Sequence, residues 1–361
     1  MRRMLATLLM VSLPALADYP WSWQRHEVAR GIHVFTEPFG HAVVSGNIVA
    51  IAGDDAVAIV DSGHHPRLTR EIAREVRERL GKPVRYVVNT HWHNDHVSGN
   101  SVLAEAFPGA TVVAHEFTAR MMDTTIRKFQ GPDCVPFLRE QSKPLRELVA
   151  AGKGPDGKPF GGERRKRLEA FVREADAAQA ECGEFRYRGA DTTFTDRMTL
   201  RLGNRDVELI HPGRANTAGD VIAWVPDAKV LAVGDLVVHP FPYATQSYVS
   251  EWAAALRRIE AMPFEALIPG HGPVMRDRSY VADLAGLFEH VMAQARAAYK
   301  PGISAAELKK RVDLAQWRRR FAGDDRFIGV NFDNMVADLA VGRAWQELAG
   351  SFEPEGLPDY H

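Results

Sequence analysis

Cysteine is scarce in this 361-residue chain: there are two, Cys134 and Cys182. A disulfide framework is therefore excluded as the main source of stability. Long hydrophobic runs are also missing beyond the N-terminus, where no stretch approaches the roughly eighteen apolar residues of a membrane span. Charge of one sign is not in excess, since 45 Lys and Arg face 46 Asp and Glu for a formal net charge of -1. No basic stripe with interleaved aromatics occurs, so a nucleic-acid partner is not expected. Internal repeats and low-complexity tracts are absent as well. What remains is ordinary globular composition, 45% hydrophobic and 25% charged, long enough for one large domain or two smaller ones.

Residues 1–17 read as a signal peptide. Arg2 and Arg3 form a positive start, Met4 to Leu13 is a short apolar run, and Ala15-Leu16-Ala17 is an A-x-A cleavage site. A short membrane anchor is the alternative. The expectation is a periplasmic or secreted protein beginning near Asp18, with a small-molecule substrate and no membrane association after cleavage. An oxidising compartment would permit a Cys134–Cys182 disulfide, which closes a loop of about fifty residues and contributes about 4 kcal/mol if unstrained. Two unpaired thiols are the competing reading.

Apolar patterning alternates between strand and helix. Strand-like runs cover Ile32 to Phe35, Asn47 to Ala52 and Ala56 to Val60, with Asp54-Asp55 as a turn. A helix is predicted from Pro66 to Leu80, with Ile72, Val76 and Leu80 at helical spacing and Gly81 as its stop. Another strand, Val84 to Thr90, precedes a helix over about 98–107 and a short strand at Val112 to Ala114. The alternation lapses between about 117 and 187, which reads as an inserted helical cap. Strands resume at Met198 to Leu202, Val207 to Ile210, Val221 to Val225 and Val230 to Val233. A helix follows from about Ser250 to Ala261. The expected organisation is a main domain over 18–290 and a helical C-terminal extension over 291–361 packed on it.

The densest chemistry is His91-Trp92-His93-Asn94-Asp95-His96, with four metal-binding side chains in six positions. It follows directly on a strand. In an extended segment alternate residues share a face. His91, His93 and Asp95 would then lean one way and His96 the other, so that one loop feeds two adjacent metal positions. Imidazole and carboxylate suit zinc best, with iron or manganese as alternatives.

With Gly234-Asp235 and Pro269-Gly270-His271-Gly272 downstream, and with Asp61-Ser62-Gly63 and Thr217-Ala218-Gly219-Asp220, the motif resembles the metallo-β-lactamase superfamily over about residues 32–281. The resemblance implies an α/β fold: a four-layer αβ/βα sandwich, here with a helical insertion and a helical C-terminal region. It implies a metal site at one edge of the sandwich. His91 and His93 would hold a first metal, Asp95, His96 and His271 a second, and Asp235 would bridge them. The family's third histidine of the first site is replaced by Asn216, because Thr217, Gly219 and Asp220 set the register. A carboxamide offers only a neutral oxygen. The resemblance therefore implies one or two zinc ions, with the Asp95, His96 and His271 position the tighter. His211, five residues upstream of Asn216, is a possible substitute that strand alternation does not aim at the metal.

The implied function is a zinc-dependent hydrolase whose metal-bound hydroxide attacks an ester, thioester, lactone or β-lactam carbonyl. Asp95 would orient the nucleophile and shuttle its proton. Asn216 keeps open a catalytically impaired relative or a ligand-binding protein. A mono-iron sulfur oxygenase of similar fold would need histidine at position 216. Asp61 and Thr90 are candidates to support the ligands from behind, and His41 and His239 to touch substrate. His64 and His65 read as rim residues, and His115 as a helix start.

Overall fold

The computed structural model describes residues 23–37, 45–130, 134–154, 157 and 159–352. The expected signal peptide and His41 lie outside the described residues. Two sheets account for the strands. The first takes β1 (Gln24–Ala29), β2 (Ile32–Thr36), β3 (Ile48–Ala52), β4 (Val57–Val60), β5 (Val84–Asn89), β6 (Thr111–His115) and β7 (Thr192–Phe194) in chain order. It is antiparallel from β1 to β4 and parallel from β4 to β7. The second comprises β8 (Arg197–Arg201), β9 (Asp206–Ile210), β10 (Ile222–Val225), β11 (Val230–Ala232) and β12 (Ala266–Ile268), antiparallel except for the β11–β12 pair.

Strand alternation explains the layers. Val49, Ile51, Ala58 and Val60 point towards the second sheet and meet Leu200, Leu209, Ala223 and Val225. Their neighbours Ile48, Ala50, Val57 and Ile59 point outward onto Ile72, Ala73 and Val76 of α1 (Pro66–Leu80). Both faces of these strands are apolar because both are covered. α1 begins with Pro66 in its first turn and ends where Gly81 takes a left-handed conformation, φ 60°, its N–H bonded to the Arg77 carbonyl. After β5 come the one-turn α2 (Asn94–Val97) and α3 (Asn100–Ala106), whose Leu103 joins the same outer layer.

Helices occupy most of the chain between β6 and β7: α4 (Glu116–Met121), a π-helical turn (Met122–Ile126), α5 (Arg127–Phe129), α6 (Cys134–Ala151) and α7 (Gly162–Cys182). Cys182 is disulfide-bonded, and the chain has one other cysteine, Cys134. This cap is tied to α1 by the Arg70–Glu184 ion pair at 2.7 Å. It is tied to the histidine-rich loop by Trp92, which is buried against Val97, Met121, Met122 and Ile126.

The outer face of the second sheet, through Ile222, Trp224, Leu231 and Leu267, packs on α8 (Val249–Ala261) and α9 (Ser279–Ala298). Trp252 and Phe288 stack there with ring centroids 4.4 Å apart. Four further helices follow: α10 (Ala305–Lys309), α11 (Ala315–Ala322), α12 (Arg326–Phe332) and α13 (Asp338–Ala349), with a π-helical turn at Asp333–Ala337 before the last. The order is helices, sheet, sheet, helices.

Two departures from the sequence reading have physical causes. β1 and β7 escaped it because β1 is an exposed, polar edge strand paired to β2 through its backbone, and β7 is three residues long. The histidine loop is not extended throughout. From Asn94 the chain turns into α2, with His93 at its N-cap, so the alternation that would align Asp95 with His91 and His93 ends at His93. Replacing Trp92 by Ala is expected to cost about 3–5 kcal/mol. Urea unfolding of the metal-free chain checks this, and a loss below about 1 kcal/mol would show that the indole does not carry the cap contact.

Candidate metal centre

Strand ends from both sheets deliver the site. Asp61 follows β4, Thr90 and His91 follow β5, Asp235 sits in the 3-10 turn Gly234–Leu236 after β11, and His271 lies just beyond β12. His96 stands at their centre, fully buried. Its Nε2 is 3.2 Å from Asp235 Oδ1, 3.4 Å from Asp95 Oδ2 and 3.3 Å from His271 Nε2. His271 Nε2 is 2.9 Å from Asp95 Oδ2 and 3.5 Å from Asp235 Oδ1. His91 Nε2 lies 3.7 Å from Asp235 Oδ2.

Two groups of donor atoms could each hold a cation: Asp95, His96 and His271, and His91, His96 and Asp235. His93 belongs to neither group, although its ring centroid is 4.5 Å from that of His91. The donor set fits a metal on a second ground. His91 Nε2 is buried with no hydrogen-bond partner, and the buried Asp235 Oδ1 has only imidazole nitrogens beside it, the nearer being His96 Nε2 at 3.2 Å. Buried polar atoms are almost always paired, and a cation at the point where these atoms converge would satisfy them.

The surrounding chain aims the rings. Asp61 adopts a left-handed backbone, φ 61°, disfavoured for any residue with a side chain. From there its carboxylate accepts from Thr90 N and Thr90 Oγ1, both at 2.8 Å, and lies 2.8 Å from His96 Nδ1. Thr90 Oγ1 in turn lies 3.1 Å from His91 Nδ1. Glu37 and Asn47 come from the other side. Glu37 Oε1 is 3.5 Å from His271 Nδ1. Asn47 Nδ2 donates to the carbonyls of Pro269 and Gly272, each at 2.9 Å, and so fastens the loop that carries His271. Glycine is required where these walls meet: a Cβ on Gly46 would overlap the His96 ring, and one on Gly270 would overlap Asp235 Oδ1.

Electrostatics follow from burial and charge. Burial lowers the pKa values of His91 and His93. It acts on His96 too, but Asp95, Asp235 and Asp61 outweigh it and raise that imidazole well above its usual range. For His271, Asp235 and Asp95 likewise overcome burial and lift the pKa to about 10. Burial works against ionised Asp95 and Asp235, yet the neighbouring imidazoles hold both carboxyls below the usual range. Without metal, protons on His96 and His271 neutralise the carboxylates.

The other sequence candidates separate. Asn216 is buried, its Nδ2 without a partner, in a loop joined to the site by Val221 N donating to the Thr90 carbonyl at 2.8 Å. His239 lines a cavity of about 710 Å³ together with Glu37 and His271. His64 packs edge-on to Phe185 of the cap segment, and His65 is buried with its carbonyl accepting from Thr69. His115 caps α4 by accepting from Phe117 N. His211 stacks on His115 at 4.4 Å and bonds the Asp220 carbonyl, which leaves it outside both donor groups. Glu37, Asn47 and Gln246, which meets His93, carried no sequence signal. Each is a common residue made relevant only by a neighbour about 150 or more positions away.

Residues 41–271 match the family model of the metallo-beta-lactamase superfamily. Among curated proteins, the chain is 21% identical over 249 residues to a metallo-beta-lactamase type 2 of Bacillus cereus, covering 67% of this chain and 73% of that one. It is 22% identical to a linear primary-alkylsulfatase of Pseudomonas sp. over 73% of this chain and 49% of the other. It is 24% identical to a 2,4-dinitroanisole O-demethylase subunit alpha of Nocardioides sp. over 78% and 71%. A solved metallo-beta-lactamase from Pontibacter korlensis superposes with a TM-score of 0.51 at 19% identity, covering 74% of this chain and 99% of that one.

Protons and metal compete for His96 and His271, so metal affinity should rise with pH between 6 and 9. The rise should continue until the His271 proton is gone, near pH 10. Competition with a chelator of known pH dependence measures this, and a flat profile would contradict it. Gly46→Ala is expected to displace the His96 ring and weaken metal binding by at least about tenfold. Equilibrium dialysis provides the comparison with the unsubstituted chain.

Proposed function

The chain belongs to the metallo-β-lactamase superfamily, and from that premise we propose that it is a zinc-dependent hydrolase acting on an ester, thioester, lactone or β-lactam carbonyl. The supporting observation is the convergence of Asp95 Oδ2, His96 Nε2 and His271 Nε2 within one ligand sphere, with Asp235 Oδ1 beside them. Zinc bound there would bring the pKa of a coordinated water to about 7 and polarise the carbonyl under attack. Asp95 is the most accessible carboxylate of the cluster, its side chain 16% exposed against 9% for Asp235. In the zinc-loaded site it would accept a hydrogen bond from the attacking water and relay the proton to the leaving group. His239 and Glu37, on the cavity wall beside His271, would face substrate.

The relatives are named for a lactamase, an alkylsulfatase and an O-demethylase, a spread that supports a shared metal-and-water chemistry on differing bonds. A panel of a chromogenic cephalosporin, a lactone, a glutathione thioester and a linear alkyl sulfate, assayed with zinc and after chelation, tests the reading. No zinc-dependent turnover on any member would count against it. The export reading belongs to the same proposal, with cleavage after Ala17. The disulfide at Cys182 supports an oxidising compartment.

Asn216 supports a second reading, a relative with a weakened first metal position that is catalytically impaired or only binds a ligand. A neutral carboxamide replaces an imidazole, and its buried Nδ2 lacks a partner. Asn216→His is then expected to raise zinc content towards two per chain and to increase hydrolysis. Two tightly held zinc ions in both proteins, by elemental analysis after gel filtration, would rule out a weak first position.

A further inference from the structure

The four imidazoles of the cluster divide by which ring nitrogen is engaged outside it. His91, His96 and His271 each turn Nδ1 to a neighbour, namely Thr90, Asp61 and Glu37. His93 does the reverse, with Nε2 lying 2.9 Å from Oε1 of Gln246. A carboxamide oxygen has only lone pairs to offer. Nε2 of His93 therefore carries the proton, and Nδ1 carries the lone pair.

Gln246 stands in the loop between the 3-10 turn and α8, outside both sheets. Hydrogen bonds at residues 246–248 fasten that part of the loop beside the site. Tyr248 N donates to the Ala215 carbonyl at 2.8 Å, next to Asn216. Arg343, from α13, donates Nε–H to the Ser247 carbonyl at 2.8 Å and Nη2–H to the Gln246 carbonyl at 3.2 Å. The Arg343 side chain is buried, with its guanidinium 5.7 Å from the Tyr248 ring centroid and 4.6 Å from that of Phe352. Its Nη1 also donates to Gln346 Oε1 at 2.7 Å. Loss of this arginine would leave two carbonyls of the loop without their donors and free the segment that presents Gln246.

We propose that Gln246 is the positioning residue for His93 and that Arg343, from the last helix, holds Gln246 in place. The C-terminal helices are then a working part of the metal centre as well as a cover for the second sheet. This rests on the reading that His93 serves the first metal position. A partner behind a metal-bound histidine fixes its tautomer and orientation, and its loss typically costs 10–100-fold in metal affinity.

The test uses the full chain with 15N-labelled histidine, free of metal, and zinc competition with a chromogenic chelator. The His93 signal should show the Nε2–H tautomer in the unsubstituted protein. Gln246→Leu should give a mixture of tautomers and lower the affinity for the more weakly held zinc ion by about 10–100-fold. Gln246→Glu, which keeps an accepting oxygen, should restore the single tautomer. Arg343→Met should move both readouts in the direction of Gln246→Leu, with Arg343→Lys as the milder variant should the first fail to fold. An Nδ1–H tautomer in the unsubstituted protein, or no change in Gln246→Leu, overturns the role of Gln246. A lower melting temperature in Arg343→Met with an unchanged His93 signal overturns the role of Arg343. Neither readout depends on turnover, so failure of the hydrolase reading in the substrate panel would be seen separately.

Discussion

Burying an imidazole among three carboxylates removes charge from water, and a structure can sustain that only if every lone pair and proton is accounted for. His96 imposes this demand. Asp61 meets it on one ring nitrogen, and Asp95 and Asp235 crowd the other. Much of the surrounding chain serves that arrangement. The His96 carbonyl accepts from Ser62 N at 2.9 Å and Ser62 Oγ at 3.0 Å. The reciprocal Asn89–Asn100 pair braces the same turn. Gly46 and Gly270 leave the room that the His96 ring and the Asp235 carboxylate fill.

The sandwich supplies rigidity where this cluster needs it. Ligands grow from the ends of strands whose side chains are buried on both faces, so their backbones cannot shift without disturbing two apolar layers. The two helical additions act differently. The cap reaches the histidine loop through Trp92, whose ring also lies 4.8 Å from that of His93. The C-terminal helices reach it through Arg343 and the Gln246 loop. Both additions thus touch the motif at residues adjacent to, or bonded to, its histidines.

Much of the fold was legible in the chain. α1 matches its reading from Pro66 to the Gly81 stop because helical spacing, an N-terminal proline and a C-terminal glycine agree. β3, β4 and β10 fall on apolar runs, and β8 and β9 on alternating polar and apolar residues. β1 was not legible, since a polar edge strand is held by backbone pairing that leaves no mark on side-chain pattern. The turn into α2 was not legible either. A four-residue helix has too little periodicity to compete with the strand signal before it.

The sequence by itself determined the chemistry: which imidazoles and carboxylates are present, and that they cluster at 91–96 after a strand. Local order was enough, because a dense motif carries its own spacing. Only the tertiary structure decided how the donors are shared, with His96 common to both groups and His93 turned to Gln246. Only it brought Glu37 to His271 and Arg343 to the loop beside His93. The reason is that ring orientation depends on the atom behind each ring. Those atoms come from Asp61, Glu37 and Gln246, set side by side by strand pairing and helix packing across 35 to 234 residues of chain.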